Sequence, residues 1–304
     1  MSRFTGIIPP ICTPLDAEGA IDAASLERLV SFQLNAGVNG IFTLGSSGEA
    51  VYLDDRARKK VLDVVVGVVG GMVPIFVGAL DASPARVIDQ VLWIEKFAVA
   101  AVVVTAPFYA NVNDAETIRH FETIAKVSSL PVVAYDIPGN VRRKLSAEVC
   151  IDLLVRGVLA GLKDSSGAMD DFARVLAGVG THRASSILTG ADDRALESLN
   201  AGADGIVPGV CNLCPEFFAE LYRAHLSGDE QKAQRAQDRI TAMTRVFGVG
   251  QSYGLGRHAS ELGGMKCVLH HDGVIAFPTT SIPLTPYPAK AVIEVLALVE
   301  TARQ

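Results

Sequence analysis

The chain has 304 residues, 49% of them hydrophobic and 20% charged, which is enough for a large core and roughly one to two domains, or a single barrel. A net charge of −6 excludes nucleic acid as a partner, because phosphate binding needs concentrated positive charge. No apolar run approaches the ~20 residues of a membrane span, and Met1 to Gly6 lacks the apolar core of a signal peptide, so a cytoplasmic protein is expected.

Strand-like and helix-like segments alternate along the chain with little interruption. Gly6 to Thr13 reads as a first strand, and Ala23 to Ala36 as a helix with apolar Leu26, Leu29, Val30 and Leu34 stopped by Gly37. Gly40 to Leu44 is a second strand, followed by a helix from Asp54 to Val69 with Asp54 as its cap. Pro74 to Gly78 is the third strand; Ser83-Pro84 then opens a helix to Phe97, serine capping and proline taking the first helical position. Ala101 to Thr105 and the helix Asp114 to Val127 come fourth. Pro131 to Tyr135 is the fifth strand, with a helix opened by Ser146. Val158 to Lys163 is the sixth, followed by the helix Met169 to Ala177. Ser186 to Thr189 with a helix Asp192 to Ala201, and Gly205 to Val207 with a helix Pro215 to His225, complete the series.

Eight such units, with β-branched runs suited to strands buried on both faces, fit a closed α/β TIM (β/α)8 barrel better than an open doubly wound sheet. No glycine-rich dinucleotide or P-loop motif follows a strand. Beyond Gly228 come helices without strands: Gln231 to Phe247, a region around Glu261 to His270, and Pro288 to Ala302. The expected division is a catalytic barrel over 1–228 and a C-terminal helical extension over 229–304, packed on the barrel. The odd number of cysteines points to free thiols. Cys211-Asn-Leu-Cys214 lacks the further ligands that zinc needs and is expected to be small buried hydrophobes, so no metal site is assigned. His270-His271 lies beyond the barrel with no metal partner to place. Lys266, in an apolar setting, reads as a snorkelling lysine.

In such a barrel the chemistry sits at the C-terminal ends of the strands. Those ends supply Gly45-Ser46-Ser47-Gly48-Glu49, Pro107-Phe108-Tyr109, Tyr135-Asp136-Ile137-Pro138, Lys163, Gly190 and Val207-Pro208-Gly209. Lys163 at the end of a buried strand has two readings. It snorkels into solvent, or it is a desolvated amine able to attack a carbonyl. Two hydroxyls between glycines, with backbone N–H groups nearby, form a carboxylate cradle at Ser46 and Ser47. Tyr135, on the adjacent strand end, can relay a proton.

The motifs Gly45-Ser-Ser-Gly-Glu49, Tyr135-Asp-Ile-Pro138 and Gly161-Leu-Lys-Asp164, with Leu188-Thr-Gly190 and Gly202-Ala-Asp-Gly-Ile-Val207 after them, give a chain that resembles the dihydrodipicolinate synthase / N-acetylneuraminate lyase family over about Thr5 to Ala302. The resemblance implies an imine between Lys163 and a 2-oxo acid such as pyruvate, proton handling by Tyr135, a carboxylate held by Ser46 and Ser47, and a main-chain carbonyl from Val207. It implies that Tyr109 enters a relay from a neighbouring subunit, that the protein is a homotetramer built from dimers, and that no cofactor is used. One departure matters. The synthases carry an arginine where this chain has Asn140, and asparagine supplies neither the charge nor the fork of a guanidinium. Arg142 or Arg143 is the candidate replacement. The expectation is therefore an aldolase or lyase that splits a 4-hydroxy-2-oxo acid, of the 2-keto-3-deoxy sugar acid or 4-hydroxy-2-oxoglutarate type, to pyruvate and an aldehyde. Dihydrodipicolinate synthase, a sugar-acid dehydratase of the same family and a catalytically silent 2-oxo-acid sensor are the alternatives.

Overall fold

The computed structural model describes residues 3–304. Eight parallel strands, β1 (Gly6–Ile7), β2 (Ile41–Thr43), β3 (Ile75–Gly78), β4 (Ala101–Thr105), β5 (Val132–Asp136), β6 (Gly161–Asp164), β7 (Ser186–Thr189) and β8 (Gly205–Ile206), form one sheet in the order β1-β8-β7-β6-β5-β4-β3-β2. The sheet closes where Pro10 bridges Phe42: Phe42 N donates to Pro9 O at 2.9 Å and Ile11 N to Phe42 O at 2.9 Å. The expected first strand, Gly6 to Thr13, is cut to two residues because Pro9 and Pro10 bring no N–H to a ladder. The sixth strand begins at Gly161 rather than Val158. Val158 and Leu159 donate instead to Leu153 O and finish the preceding helix.

The pleat sorts the side chains into two cores. Ile8, Phe42, Phe76, Val103, Val133, Tyr135, Leu188 and Val207 pack inside the barrel, while alternate residues such as Ile41, Val77, Val102, Ala134, Leu162 and Ile187 join the layer between strands and helices. Both faces of every central strand are thereby dry, which is why the strands read as continuous apolar runs. The helices follow from local signals: Asp54 accepts from Ala57 N, Ser146 from Val149 N, and Asn113 and Glu116 form a reciprocal capping box. Ser83 occupies its cap position without a side-chain bond, and the helix expected from Asp192 opens as a 3-10 turn, Asp192–Arg194, before Ala195–Asn200. No helix among the described residues is long and apolar enough to cross a membrane.

After Gly228, which ends the helix Pro215–Ser227 in a left-handed conformation, the helices Glu230–Thr244, Val246–Val249, Arg257–His271 and Ala289–Arg303 form the C-terminal layer. We propose the domain division at that glycine. The layer shares the barrel's outer core through residues such as Ile240, Met243, Leu262 and Val295. All five cysteines are free and buried; Cys211 Sγ lies 3.6 Å from Gln33 Oε1 and Cys214 Sγ 3.5 Å from Val210 O.

Lys266 does not snorkel. Its side chain is fully buried, ion-paired with the equally buried Glu49, and its ammonium donates to Thr279 O at 2.7 Å. Glu49 also accepts from Ser281 N at 2.6 Å and holds a left-handed backbone (φ 57°) at the end of the Ser46-Ser47 loop. The pair thus fixes that loop to the C-terminal layer. Removing one partner leaves a buried charge uncompensated, a loss of about 3–5 kcal/mol. Lys266→Met should lower unfolding free energy by that amount in chemical denaturation, and Glu49→Gln combined with it should recover part of the loss.

Candidate active site

Thr105, Tyr135, Lys163 and Leu188 lie side by side across four adjacent strands, Thr105 against Tyr135, Tyr135 against Lys163, and Lys163 against Leu188. Tyr135 and Lys163 therefore point into the barrel at its C-terminal mouth. Lys163 is 4% exposed. Its Nζ sits 3.9 Å from the centroid of the Tyr135 ring and 4.9 Å from that of Phe42, and no carboxylate among the described residues comes within 4.0 Å of it. Of the two readings of this lysine, the structure places it inside rather than in solvent.

Above it opens a cavity of about 400 Å³ whose lining includes Ser46, Ser47, Tyr135, Asn140, Lys163, Gly190 and Val207. These are the sequence-predicted site residues other than Tyr109, brought together from the C-terminal ends of β2, β5, β6, β7 and β8. The N–H groups of Ser46 and Ser47 donate to no protein acceptor among the described residues, which leaves the loop open to an anion. Gly190 is required by space: a Cβ there would stand 1.9 Å from Ser165 Oγ and 3.1 Å from Lys163 Cε.

Tyr109 is not part of this cavity. It is fully exposed, with a left-handed backbone (φ 77°), and lines a separate pocket with Phe108 and the segment 140–143. Arg142 and Arg143 line that outer pocket too, and Arg143 is paired with Asp114. Neither lines the cavity that holds Lys163. Arg257 reaches the cavity instead. Its Nη1 would be 2.7 Å from a Cβ on Gly139, so the glycine lets the guanidinium lie close to the turn that carries Asn140. Arg257 Nε donates to Glu261 Oε1 at 2.7 Å, and its two terminal nitrogens find no acceptor among the described residues.

The helix Arg257–His271 forms a roof whose His258, Glu261, Leu262 and Met265 sequence reading missed. Arg257, His258, Glu261, Leu262 and Met265 all line the cavity, on the one face that spacings of one, four, five and eight residues define. That spacing was legible; that the face covers a cavity was not. His258 has a buried Nε2 without a partner among the described residues, and burial lowers its pKa. Asp192 was also missed as a lining residue. Burial pushes its pKa up from 3.8 to about 6, against the opposing effect of the Val210 and Gly209 N–H groups and the charge of Lys163.

A family model described as the dihydrodipicolinate synthetase family matches residues 3–302. An uncharacterised DapA-like lyase of Halobacterium salinarum is 32% identical over 235 residues, 77% of this chain and 76% of its own. The 4-hydroxy-tetrahydrodipicolinate synthase of Gluconacetobacter diazotrophicus is 27% identical over 285 residues, 94% and 92% of the two chains. Among solved structures, YagE, an Escherichia coli K12 prophage protein of the dihydrodipicolinic acid synthase family determined in complex with pyruvate, superposes with a TM-score of 0.90 at 25% identity over 99% of both chains.

An acid whose folded pKa lies above its unfolded one makes the native state bind more protons, so its contribution to stability falls as pH rises, here between about 4 and 6. At pH 7 the ionised Asp192 costs the fold roughly 3 kcal/mol at most. Asp192→Asn should therefore melt higher than the native protein at pH 7 and lose that advantage below pH 4, measured by thermal unfolding across pH.

Proposed function

The chain belongs to the dihydrodipicolinate synthetase family of aldolases and lyases, and we propose that its substrate is a 4-hydroxy-2-oxo acid cleaved to pyruvate and an aldehyde. The observation that carries this reading is the placement of Lys163: an amine buried at the floor of the cavity, against two aromatic faces and, among the described residues, without a carboxylate partner. An ammonium with its protons committed to a carboxylate cannot attack carbon, whereas this nitrogen faces open space.

In the proposed sequence Ser46 and Ser47, with their N–H groups, hold the substrate carboxylate, and the Val207 carbonyl and Gly190 border the 2-oxo carbon. Lys163 Nζ adds to that carbon and water leaves, giving an iminium. Tyr135, left as phenolate by giving its proton to that departing water, takes the 4-hydroxyl proton, the C3–C4 bond breaks, and the bond's electron pair moves into the iminium to give an enamine and a free aldehyde. Protonation at C3 and hydrolysis release pyruvate and restore Lys163. No electrons are gained or lost overall. Tyr109, exposed and outside its own chain's cavity, contributes only from a neighbouring subunit, which fits a homotetramer built from dimers.

The wall supports a hydroxylated aldehyde. Asp192, Asp193, Ser165 and Ser166 line it, and carboxylates accept hydroxyl protons but repel a second anion. A second reading, dihydrodipicolinate synthase acting on an anionic semialdehyde, is favoured by one observation, the uncommitted fork of Arg257 beside Asn140.

Borohydride reduction in the presence of pyruvate should add one pyruvate-derived mass to Lys163, and Lys163→Ala should lose both the adduct and turnover; an unmodified Lys163 refutes the imine. In a panel of aldehydes tested with pyruvate, sugar-derived aldehydes should outrun aspartate semialdehyde and glyoxylate in kcat/KM. Preference for the semialdehyde, lost about 10²-fold in Arg257→Ala, would establish the second reading instead.

A further inference from the structure

The same pleat that turns Tyr135 and Lys163 inward turns their successors, Asp136 and Asp164, outward, and these two are register partners on neighbouring strands. Like charges directly opposite in a sheet repel, and here both are buried: the Asp136 side chain is 0% exposed and that of Asp164 6%. One cation answers them. Lys144 Nζ is paired with Asp136, lies 3.9 Å from Asp164 Oδ2 and 3.9 Å from Asp171 Oδ2 on the helix Met169–Val179, and donates to Leu145 O at 2.8 Å.

Each carboxylate also ties down a segment of the site. Asp136 Oδ1 accepts from Leu145 N at 3.1 Å, which returns the chain to the barrel after the Asn140 turn. Asp164 Oδ1 accepts from Ser166 N at 2.7 Å and Ser166 Oγ at 2.6 Å, which sets the Ser165-Ser166 rim of the cavity.

We propose that Lys144 is a positioning residue for the imine chemistry: from outside the barrel it clamps the ends of β5 and β6 through Asp136 and Asp164, and so sets Tyr135 against Lys163. The inference rests on Lys163 being the imine-forming amine. Without Lys144, two facing buried carboxylates are left; the strand ends part, or one carboxylate takes a proton. The other charged and titratable groups around them are Asp171, which Arg174 pairs at 3.1 Å, Glu148, paired with Arg174, and Cys150, whose thiol burial pushes up to about 12. Neither carboxylate has another cation among the described residues.

The test measures borohydride-trapped pyruvate adduct on Lys163 against time, from pH 5.5 to 9, in the full-length protein and in Lys144→Met, Lys144→Arg and Lys144→Met/Asp136→Asn, each at a temperature where circular dichroism shows it folded. Lys144→Met should trap about 10²-fold more slowly at pH 8, as a shift near 1 Å in a reacting pair permits, with KM for pyruvate little changed. Its rate should recover toward pH 5.5, where a proton replaces the missing cation, whereas the native rate should not rise there. Arginine should restore most of the rate, and the double variant should exceed Lys144→Met because the facing charges are gone. A Lys144→Met enzyme that melts lower but keeps the native rate and pH profile overturns the proposal alone. Should Lys144→Met not fold, a folded Lys144→Arg enzyme that traps about 10²-fold more slowly than the native protein overturns it instead. Absence of any adduct in the native protein overturns it together with the reading of Lys163.

Discussion

The two-residue period of adjacent strands β5 and β6 is the constraint on which the site depends. Tyr135 and Lys163 face the barrel interior only because Val133 and Gly161, two residues earlier, do so as well, and because the strands pair in register. A slip of one residue would put Asp164 on the cavity floor and bury Lys163 among the helices. The register is held on both faces, by Val103, Val133 and Leu188 inside and by Ala134, Leu162 and Ile187 outside. Dry packing on two sides leaves no alternative pairing at comparable energy.

The C-terminal layer is part of this arrangement rather than an ornament to it. A barrel alone ends in loops, and the Ser46-Ser47 loop carries a left-handed Glu49 that a free loop would not favour. Lys266 removes that freedom by pairing with Glu49 in the interior, and the same helix presents Arg257, His258 and Glu261 over the cavity. One helix therefore anchors the wall of the site and closes its top. Substitutions at its buried end are expected to reach the chemistry through the cradle, and those at its exposed end through the roof.

How much of this was legible varied with the range of the interaction. Ala101–Thr105 and Ser186–Thr189 fell where β-branched runs placed them, and Asp54, Asn113 and Ser146 announced helix starts, since these signals are local. Val158 and Leu159 misled because an apolar pair that closes a helix end by donating to Leu153 O has the same composition as a strand start, whereas Ala160, donating to Val132 O, already leads into β6. Lys266 misled because its partner lies far away in sequence; nothing near it reveals that it is satisfied. Asn140 shares the cavity lining with Arg257, more than a hundred residues away, while the neighbouring Arg143 pairs with Asp114; only the fold brings Arg257 there. The roles of Ser46, Tyr135 and Lys163 were suggested by motif order, which a sequence shows, and their convergence on one cavity needed the fold.

Three lysines in sheltered settings separate the structural from the chemical use of an ammonium. Lys266 commits its protons to Glu49 and a carbonyl, and Lys144 to Asp136 and another carbonyl, so each is a tie between segments. Lys163 commits none to a carboxylate and rests on the faces of Tyr135 and Phe42, which attract a cation through their quadrupoles without binding a particular proton. An amine that is to form a bond to carbon must give its lone pair to the substrate, and ring faces leave that pair available where a carboxylate would not. Pairing pattern, more than burial, is what marks Lys163 among them.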